Sequence, residues 1–325
     1  MLESVSIITQ NAKMHDIIAN LRKVAESDYP VILIGETGTG KEIFADYIHL
    51  NSRRCKKAIV KISLTALPID LMASELFGYE KGAFTNAVNT KKGLFEVAKY
   101  GSLFLDDIDD VPVSIQAKLL RTLESGEIMR VGGLKAINTD VRIISSTKKD
   151  LRYLIKKKQF RPDLYYRLNV VPVKIPPLRE RKGDIPLLIN HFLNIFKPYN
   201  PPEFSDEILD VLAEYNWPGN IRELRNVVQR LSLLAEKKVR FEDLPKEITA
   251  ENIIDVCKKK CSCCFYKSGV TYKDIIHCIE SKIFIQALSK AKNNQSKAAE
   301  LLGLSLSTFR DKLKKTQEKS ALNIK

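Results

Sequence analysis

The sequence predicts an α/β protein: a parallel sheet flanked by helices, followed by a small helical second domain and a compact all-α third domain. Three observations carry this expectation. Short β-branched runs alternate with helical patterns over residues 29–173. Strand-like segments cease after the proline-rich stretch 172–177 (PVKIPP). A second set of helical patterns resumes beyond residue 271. Alternation of strand and helix favours a parallel sheet covered on both faces, whereas helices in series favour bundles.

Composition sets the outer limits. With 325 residues, 44% apolar and 28% charged, the chain lies in the globular range, which excludes a disordered, collagen-like or disulfide-held miniprotein class. No run approaches the ~18 apolar residues of a membrane span. The start MLESVSIITQ lacks the basic and apolar regions of a secretory signal. A cytoplasmic protein with no membrane partner is expected. The net charge is +14, and residues 251–325 hold 15 basic against 7 acidic side chains. That asymmetry points the carboxy-terminal quarter toward a polyanion such as nucleic acid.

Taken in order, residues 29–34 (YPVILI) read as a strand that stops at glycine, and 42–50 (EIFADYIHL) as a helix. Further strands are expected at 58–62, 102–105, 141–146 and 170–173, with helices at 70–77, 114–125 and 148–157. Segments 184–197, 205–215 and 219–235 read as amphipathic helices. Residues 246–271 lack sustained periodicity and form a linker. Helical patterns at 272–291 and 295–315 are broken at Gly303. The expected domains are therefore 1–175, 176–245, the linker 246–271, and 272–325.

The turn after the first strand is Gly35-Glu36-Thr37-Gly38-Thr39-Gly40-Lys41. It fits G-x-x-x-x-G-K, in which glycines let backbone N–H groups wrap phosphate oxygens while the lysine reaches the outer phosphates. Strand before and helix after distinguish it from an ordinary Gly-rich turn. The next position, usually a magnesium-binding Ser or Thr, is Glu42. Metal ligation then needs an acid at the end of a neighbouring strand, and Ser102-Leu103-Phe104-Leu105 runs into Asp106 and Asp107. Asp106 would hold Mg2+, and Asp107 would orient or deprotonate the attacking water. The ATP-binding expectation takes in Gly35 through Glu42 and the segment Ala98, Lys99, Tyr100, Gly101, Ser102, Leu103, Phe104, Leu105, Asp106 and Asp107.

At residues 75–87 the string ELFGYEKGAFTNA resembles the surface loop of the AAA+ activators of sigma-54 RNA polymerase, the NtrC-type enhancer-binding proteins. The similarity continues through GETGTGKE (35–42), GSLFLDD (101–107), QAKLLRTLESGEIMRVGG (116–133), FRPDLYYRLNVVPVKIPPLRERKGDI (160–185) and WPGNIRELRN (217–226). It covers about residues 8–245 and implies an AAA+ P-loop ATPase with a helical lid. It also implies that Gly82, Ala83, Phe84, Thr85, Asn86 and Ala87 touch sigma-54. By the same resemblance Arg161 and Arg167 are arginine-finger candidates that enter a neighbouring subunit's site in a hexamer-like ring, and Arg222 is the second sensor. The segment from Ile279 to Lys315 looks like a Fis-type helix-turn-helix. There Gly303 ends one helix, Ser305 caps the next, and Ser305, Ser307, Thr308, Arg310, Lys312 and Lys314 are expected to face double-stranded DNA upstream of promoters.

Four positions depart from the family pattern. Asp107 stands for glutamate, Ser63 for the asparagine that partners it, Lys148 for the first-sensor asparagine, and Asn86 for a loop glycine. A carboxylate drawn back by ~1 Å can cost on the order of a hundredfold in rate, so slow hydrolysis is expected. The match begins close to Met1, with no receiver or ligand-sensing domain ahead of it, so the expectation is either control by a separate regulatory protein or a sequence shortened at its amino end.

The leading expectation is an ATP-driven transcription activator that remodels the closed promoter complex. A DNA-binding regulator with a weak ATPase, in which nucleotide controls oligomerisation, is the alternative, and an AAA+ remodeller of another protein is a third. Cys257, Cys261, Cys263 and Cys264 crowd into the linker. Their spacing offers one C-x3-C pair where zinc sites use two well-separated pairs, so free thiols are expected rather than a metal centre.

Overall fold

The computed structural model describes residues 6–85, 87–235, 237–249, 280, 284, 287–288, 291 and 294–313. The chain divides into two compact units, Met1–Pro245 and Lys246–Lys325.

The first unit opens with helix α1 (Ala12–Ala25), capped by the Asn11 side chain. Strand β1 (Val31–Ile34) follows, then α2 (Lys41–Leu50), β2 (Ile59–Ser63) and α3 (Ile69–Phe77). A two-residue ribbon, β3 (Gly78–Tyr79) and β4 (Lys91–Lys92), leads to the short helix α4 (Leu94–Val97) and to β5 (Ser102–Asp106). Helix α5 (Val113–Ser125) precedes a second ribbon, β6 (Glu127–Met129) and β7 (Ala136–Asn138). Then come β8 (Arg142–Thr147), α6 (Leu151–Lys156), α7 (Pro162–Leu168) and β9 (Val171–Lys174).

Strands β2, β5, β8, β1 and β9 form, in that order, one parallel sheet. The inner strands β5, β8 and β1 are the most buried, as cover on both faces requires. Pro172 lies in the edge strand β9, which pairs with β1 alone, so its missing N–H weakens no inner ladder. The period of two sorts the core. Ile32, Leu103, Leu105 and Ile143 join one cluster with α3, α5, α6 and α7, while Val31, Leu33, Phe104 and Ile144 join another with α1 and α2. At the amino end of β8 the buried Arg142 guanidinium donates to the last carbonyls of α1, those of Val24 (2.8 Å) and Ala25. Burial lowers its pKa to about 10.

The rest of this unit is helical: α8 (Asp184–Phe196), α9 (Asp206–Glu214) and α10 (Asn220–Leu234). Each buries one stripe, with Leu188, Phe192, Leu212, Leu224 and Leu231 inside. Trp217 is completely buried and satisfies its indole N–H on the Leu212 carbonyl at 2.8 Å.

In the second unit α11 (Gln295–Leu301) is capped by the Asn294 side chain. Gly303 follows with φ +63°, and Ser305 accepts from the Thr308 N–H at 3.2 Å to start the helix over 306–313. Phe284, Ala298, Phe309 and Leu313 pack together as its core. Among the described residues no helix is long and apolar enough to cross a membrane. The cysteine cluster at 257–264 and Lys314 lie outside the described residues.

Candidate functional site

The Gly-rich turn links β1 to α2 at the carboxyl edge of the sheet. Gly38 and Gly40 adopt φ +79° and +98°, angles that side chains disfavour. A Cβ at Gly35 would stand 3.1 Å from both the Ile175 carbonyl oxygen and Thr39 Oγ1, so the cradle is full. Lys41 is 7% exposed, and its ammonium meets the carbonyls of Gly35 at 2.9 Å and Glu36 at 3.1 Å. Burial lowers its pKa; Asp106, Asp107 and Asp109 work against that shift and Lys148 adds to it. A buried ammonium held by neutral carbonyls fits an incoming phosphate. Thr39 is buried and donates to the Glu36 carbonyl at 2.8 Å. Glu42 does not face the loop: its carboxylate pairs at 3.0 Å with Lys61 on the edge strand β2.

β5 delivers its carboxylates to the same edge. Asp106 is level with Ser63 on β2, and the Ser146 hydroxyl from β8 donates to Asp106 Oδ1. The Asp107 N–H donates to Ser146 Oγ at 3.0 Å, and Asp107 takes a left-handed conformation (φ +57°). The Asp107 carboxylate lies 3.3 Å from Lys148 Nζ, which also meets Asp110 at 2.8 Å. Hydrogen bonding to Asp110 is the chief cause that raises the Lys148 pKa. Ser63 turns its hydroxyl to Thr65 at 2.9 Å rather than to Asp107.

The expectation for residues 98–107 narrows accordingly. Because β5 runs parallel to the other strands, Ala98, Lys99, Tyr100 and Gly101 lie before its amino end, away from the Gly-rich turn. Leu103, Phe104 and Leu105 are buried in the core, and Ser102 meets His49 Nδ1 at 2.9 Å. Asp106 and Asp107 are the members that reach the site.

The lid rests on the turn. Asn220 donates to the Thr37 carbonyl at 3.0 Å, and the Ile221 N–H donates to the Gly38 carbonyl at 3.0 Å. Arg179 forks onto Glu36 at 2.6 and 2.8 Å, and this bond is the chief cause that lowers the Glu36 pKa. The buried Arg181 reaches the Thr39 carbonyl at 3.0 Å. Arg179, Arg181 and Asn220 were not singled out by sequence, although they lie inside the strings 160–185 and 217–226. Arg222 is exposed beside Thr37, lining a cavity of about 390 Å³ with Asn226 and Arg230.

Arg161 is the N-cap residue of α7, and Arg167 lies in its last turn. Arg161 forks onto Asp163 at 2.7 and 3.1 Å, and Arg167 donates to the Leu123 carbonyl at 2.7 and 3.1 Å. Arg167 shares a cavity of about 670 Å³ with Asp28, Tyr29 and Pro30, the residues that enter β1. It is therefore at the amino edge of the sheet, opposite its own Gly-rich turn.

The GAFTNA segment forms a closed turn between β3 and β4. The Gly82 N–H donates to the Ala87 carbonyl and the Ala87 N–H to the Phe84 carbonyl, each at 2.9 Å. Phe84 is 41% exposed against Tyr79, Thr85 is exposed, and Ala87 is buried. Asn86 lies outside the described residues. The neighbouring β6–β7 loop props the turn: a Cβ on Gly132 would come within 2.8 Å of Ala83 Cβ. Arg130 ties Glu96 (2.7 Å) to Glu80 (3.0 Å) beneath it.

In the second unit Ser307, Thr308 and Arg310 are exposed, and Arg310 meets Gln295 at 3.1 Å. Ser305 uses its hydroxyl to cap the helix, and Lys312 pairs with Glu280 at 2.6 Å.

A family model described as the sigma-54 interaction domain matches residues 7–174. The chain belongs to the sigma-54 activator family. The AAA+ ATPase lid domain matches residues 179–256, and the bacterial regulatory protein, Fis family, matches 278–315. The chain is 42% identical over 303 residues to the regulatory protein AtoC of Escherichia coli (strain K12), covering 92% of this chain and 65% of AtoC. It is 40% identical over 334 residues to the DNA-binding transcriptional regulator NtrC of Azospirillum brasilense, covering 96% of this chain and 69% of NtrC. The crystal structure of NtrX from Brucella abortus in complex with ADP superposes with a TM-score of 0.71 at 31% identity, over 97% of this chain and 69% of NtrX. The chain thus spans 65% of AtoC, under two thirds of that protein's length. This member of the family thus carries, in order, the sigma-54 interaction domain, the AAA+ ATPase lid domain and the Fis-family regulatory domain.

Proposed function

We propose that this protein binds ATP with Mg2+, assembles with copies of itself into a ring, and uses hydrolysis to remodel sigma-54 RNA polymerase at promoters. The observation that carries the reading is that Lys41, Asp106 and Asp107 share the carboxyl edge of the sheet, after β1 and β5 on either side of β8, under a lid bonded to the Gly-rich turn. Lys41 binds the outer phosphates, and Arg222 approaches them from the lid. Asp106 keeps one oxygen for Ser146 and offers the other to magnesium. Bound there, the ion would neutralise phosphate charge. No group of three or more acids, cysteines or histidines forms a metal cage among the described residues, so its other ligands would be phosphates and water. Asp107 orients the attacking water. Arg161 and Arg167 serve the neighbouring subunit by exchanging their present partners for the γ-phosphate, and the place of Arg167 at the sheet edge opposite its own turn supports this.

Phe84 and Thr85 present the contact to sigma-54, while Ser307, Thr308 and Arg310 present the contact to DNA. Lys312 and Lys314 add phosphate contacts, Lys312 after leaving Glu280. A second reading, a DNA-binding regulator with a weak ATPase, is favoured by the Lys148–Asp107 ion pair, which occupies the carboxylate that hydrolysis needs. Open-complex formation on a sigma-54 promoter tests both. Opening that requires hydrolysable ATP supports the first, and DNA binding with no opening supports the second.

A further inference from the structure

Gln116 is fully buried near the start of α5. Its amide donates from Nε2 to the Val111 carbonyl at 2.8 Å and to the Gln159 carbonyl at 2.9 Å, while Oε1 accepts from the Arg161 N–H at 2.8 Å. An amide turned the other way would set oxygen against two carbonyls and NH2 against an N–H, so these partners fix its orientation. Val111 closes the turn Ile108–Asp110, in which the Asp110 N–H returns to the Asp107 carbonyl at 3.1 Å. One side chain thus spans from the turn that begins at Asp107 to the N-cap of α7.

The backbone of Arg161 is held on both sides. Its N–H goes to Gln116, and its carbonyl accepts from the Tyr165 N–H at 3.1 Å. Phe160 before it is buried in one cluster with Ile115 and Leu164, and Pro162 after it has a fixed φ. The Arg161 side chain, 39% exposed, is left to move about its own χ angles. An apolar residue would fill the space of Gln116 among these neighbours. A buried amide that spends both hydrogens and its oxygen on backbone groups of two segments instead specifies how those segments sit. We infer that Gln116 is a positioning residue for Arg161, an inference that rests on the ring reading above. It sets the root of the arginine against the Asp107 turn, and so ties the reach into a neighbouring subunit's site to the geometry of this subunit's own. Without the amide the Arg161 N–H loses its acceptor, and the root of the arginine shifts to find another.

The test uses the full chain with Gln116→Met, which is uncharged and close in length. Affinity for a fluorescent ATP analogue should stay within about twofold of wild type, whereas kcat should fall about ten- to hundredfold, the scale of a ~1 Å misplacement. Mixed with Lys41→Ala chains, which supply a well-placed Arg161, the variant should regain part of its turnover. That gain should vanish when the Lys41→Ala chain also carries Arg161→Ala. A general weakening of the fold would not be mended by a partner chain in this way. Wild-type kcat in Gln116→Met, no gain in the mixture, or a gain that survives Arg161→Ala would each overturn the role. Loss of nucleotide binding by both Gln116→Met and Gln116→Leu would make Gln116 a residue that the fold requires, and would overturn it as well. Arg161→Ala alone turning over at the wild-type rate would instead remove the reading of Arg161 as an arginine that acts on the neighbouring subunit, and the role of Gln116 with it.

Discussion

Gly38 passes directly beneath the carbonyl of Gly219: a methyl group built on Gly38 would stand 2.2 Å from that oxygen. The lid and the Gly-rich turn are thus in backbone contact, and the position tolerates no side chain. Gly38→Ala should push the lid away from the turn and strain a left-handed residue by ~1–2 kcal/mol. Weaker nucleotide binding with a lower Tm is expected. Wild-type values for both would show that the contact is dispensable.

Lys41→Ala removes the buried ammonium that meets the Gly35 and Glu36 carbonyls. Nucleotide affinity should fall by about 10- to 100-fold, the range for a hydrogen bond to a charged group. A fluorescent-nucleotide titration checks this, and hydrolysis at the wild-type rate would contradict the role of the turn.

Asp107 is one methylene shorter than glutamate. Asp107→Glu should raise kcat, within the roughly hundredfold that a ~1 Å misplacement costs. Asp107→Ala should nearly abolish turnover while ATP still binds. Steady-state kinetics beside equilibrium binding decides, and unchanged kcat in both variants would assign the water to another acid.

Thr85 is exposed at the turn tip and lies on a separate segment from the nucleotide turn. Thr85→Ala should keep its ATPase rate within about twofold and lose promoter opening. Joint loss of both activities would join roles that the structure holds apart.

Arg167 faces the amino edge of the sheet. Mixing Arg167→Ala with Lys41→Ala chains should restore part of the ATPase activity, because some interfaces then pair an intact turn with an intact arginine. No activity in any mixture, with assembly verified by sedimentation, would place the arginine's action within one subunit.

Much of this was legible in sequence where the signal is local. The five sheet strands stand within a residue or two of the expected runs, because each is a short apolar segment bounded by turn residues. Gly303 and Ser305 announced a helix end and a helix start by chemistry confined to neighbouring residues. Helix α1 was not singled out, although Met14, Ile17, Ile18 and Leu21 carry the helical period. Pro162 at the first turn of α7 was an unread start signal. The two-residue ribbons were too short to show a period. The site was legible as far as Lys41, Asp106 and Asp107, each marked by its own segment. Asn220 on Thr37, Arg179 on Glu36 and Lys148 on Asp107 were not, because each bond joins residues far apart along the chain and arises from the tertiary fold.

The bonds from Arg142 to the last carbonyls of α1 also bear on where the folding unit must begin. A chain trimmed to start at β1 would lose Met14 and Leu21 from the cluster they share with Val31, Leu33 and Phe44, uncovering that apolar face to water, and would strip the Arg142 guanidinium of its carbonyl acceptors. Residues 12–25 are therefore a structural part of the ATPase module rather than a lead-in to it, and the shortest autonomous version of this module starts no later than Asn11.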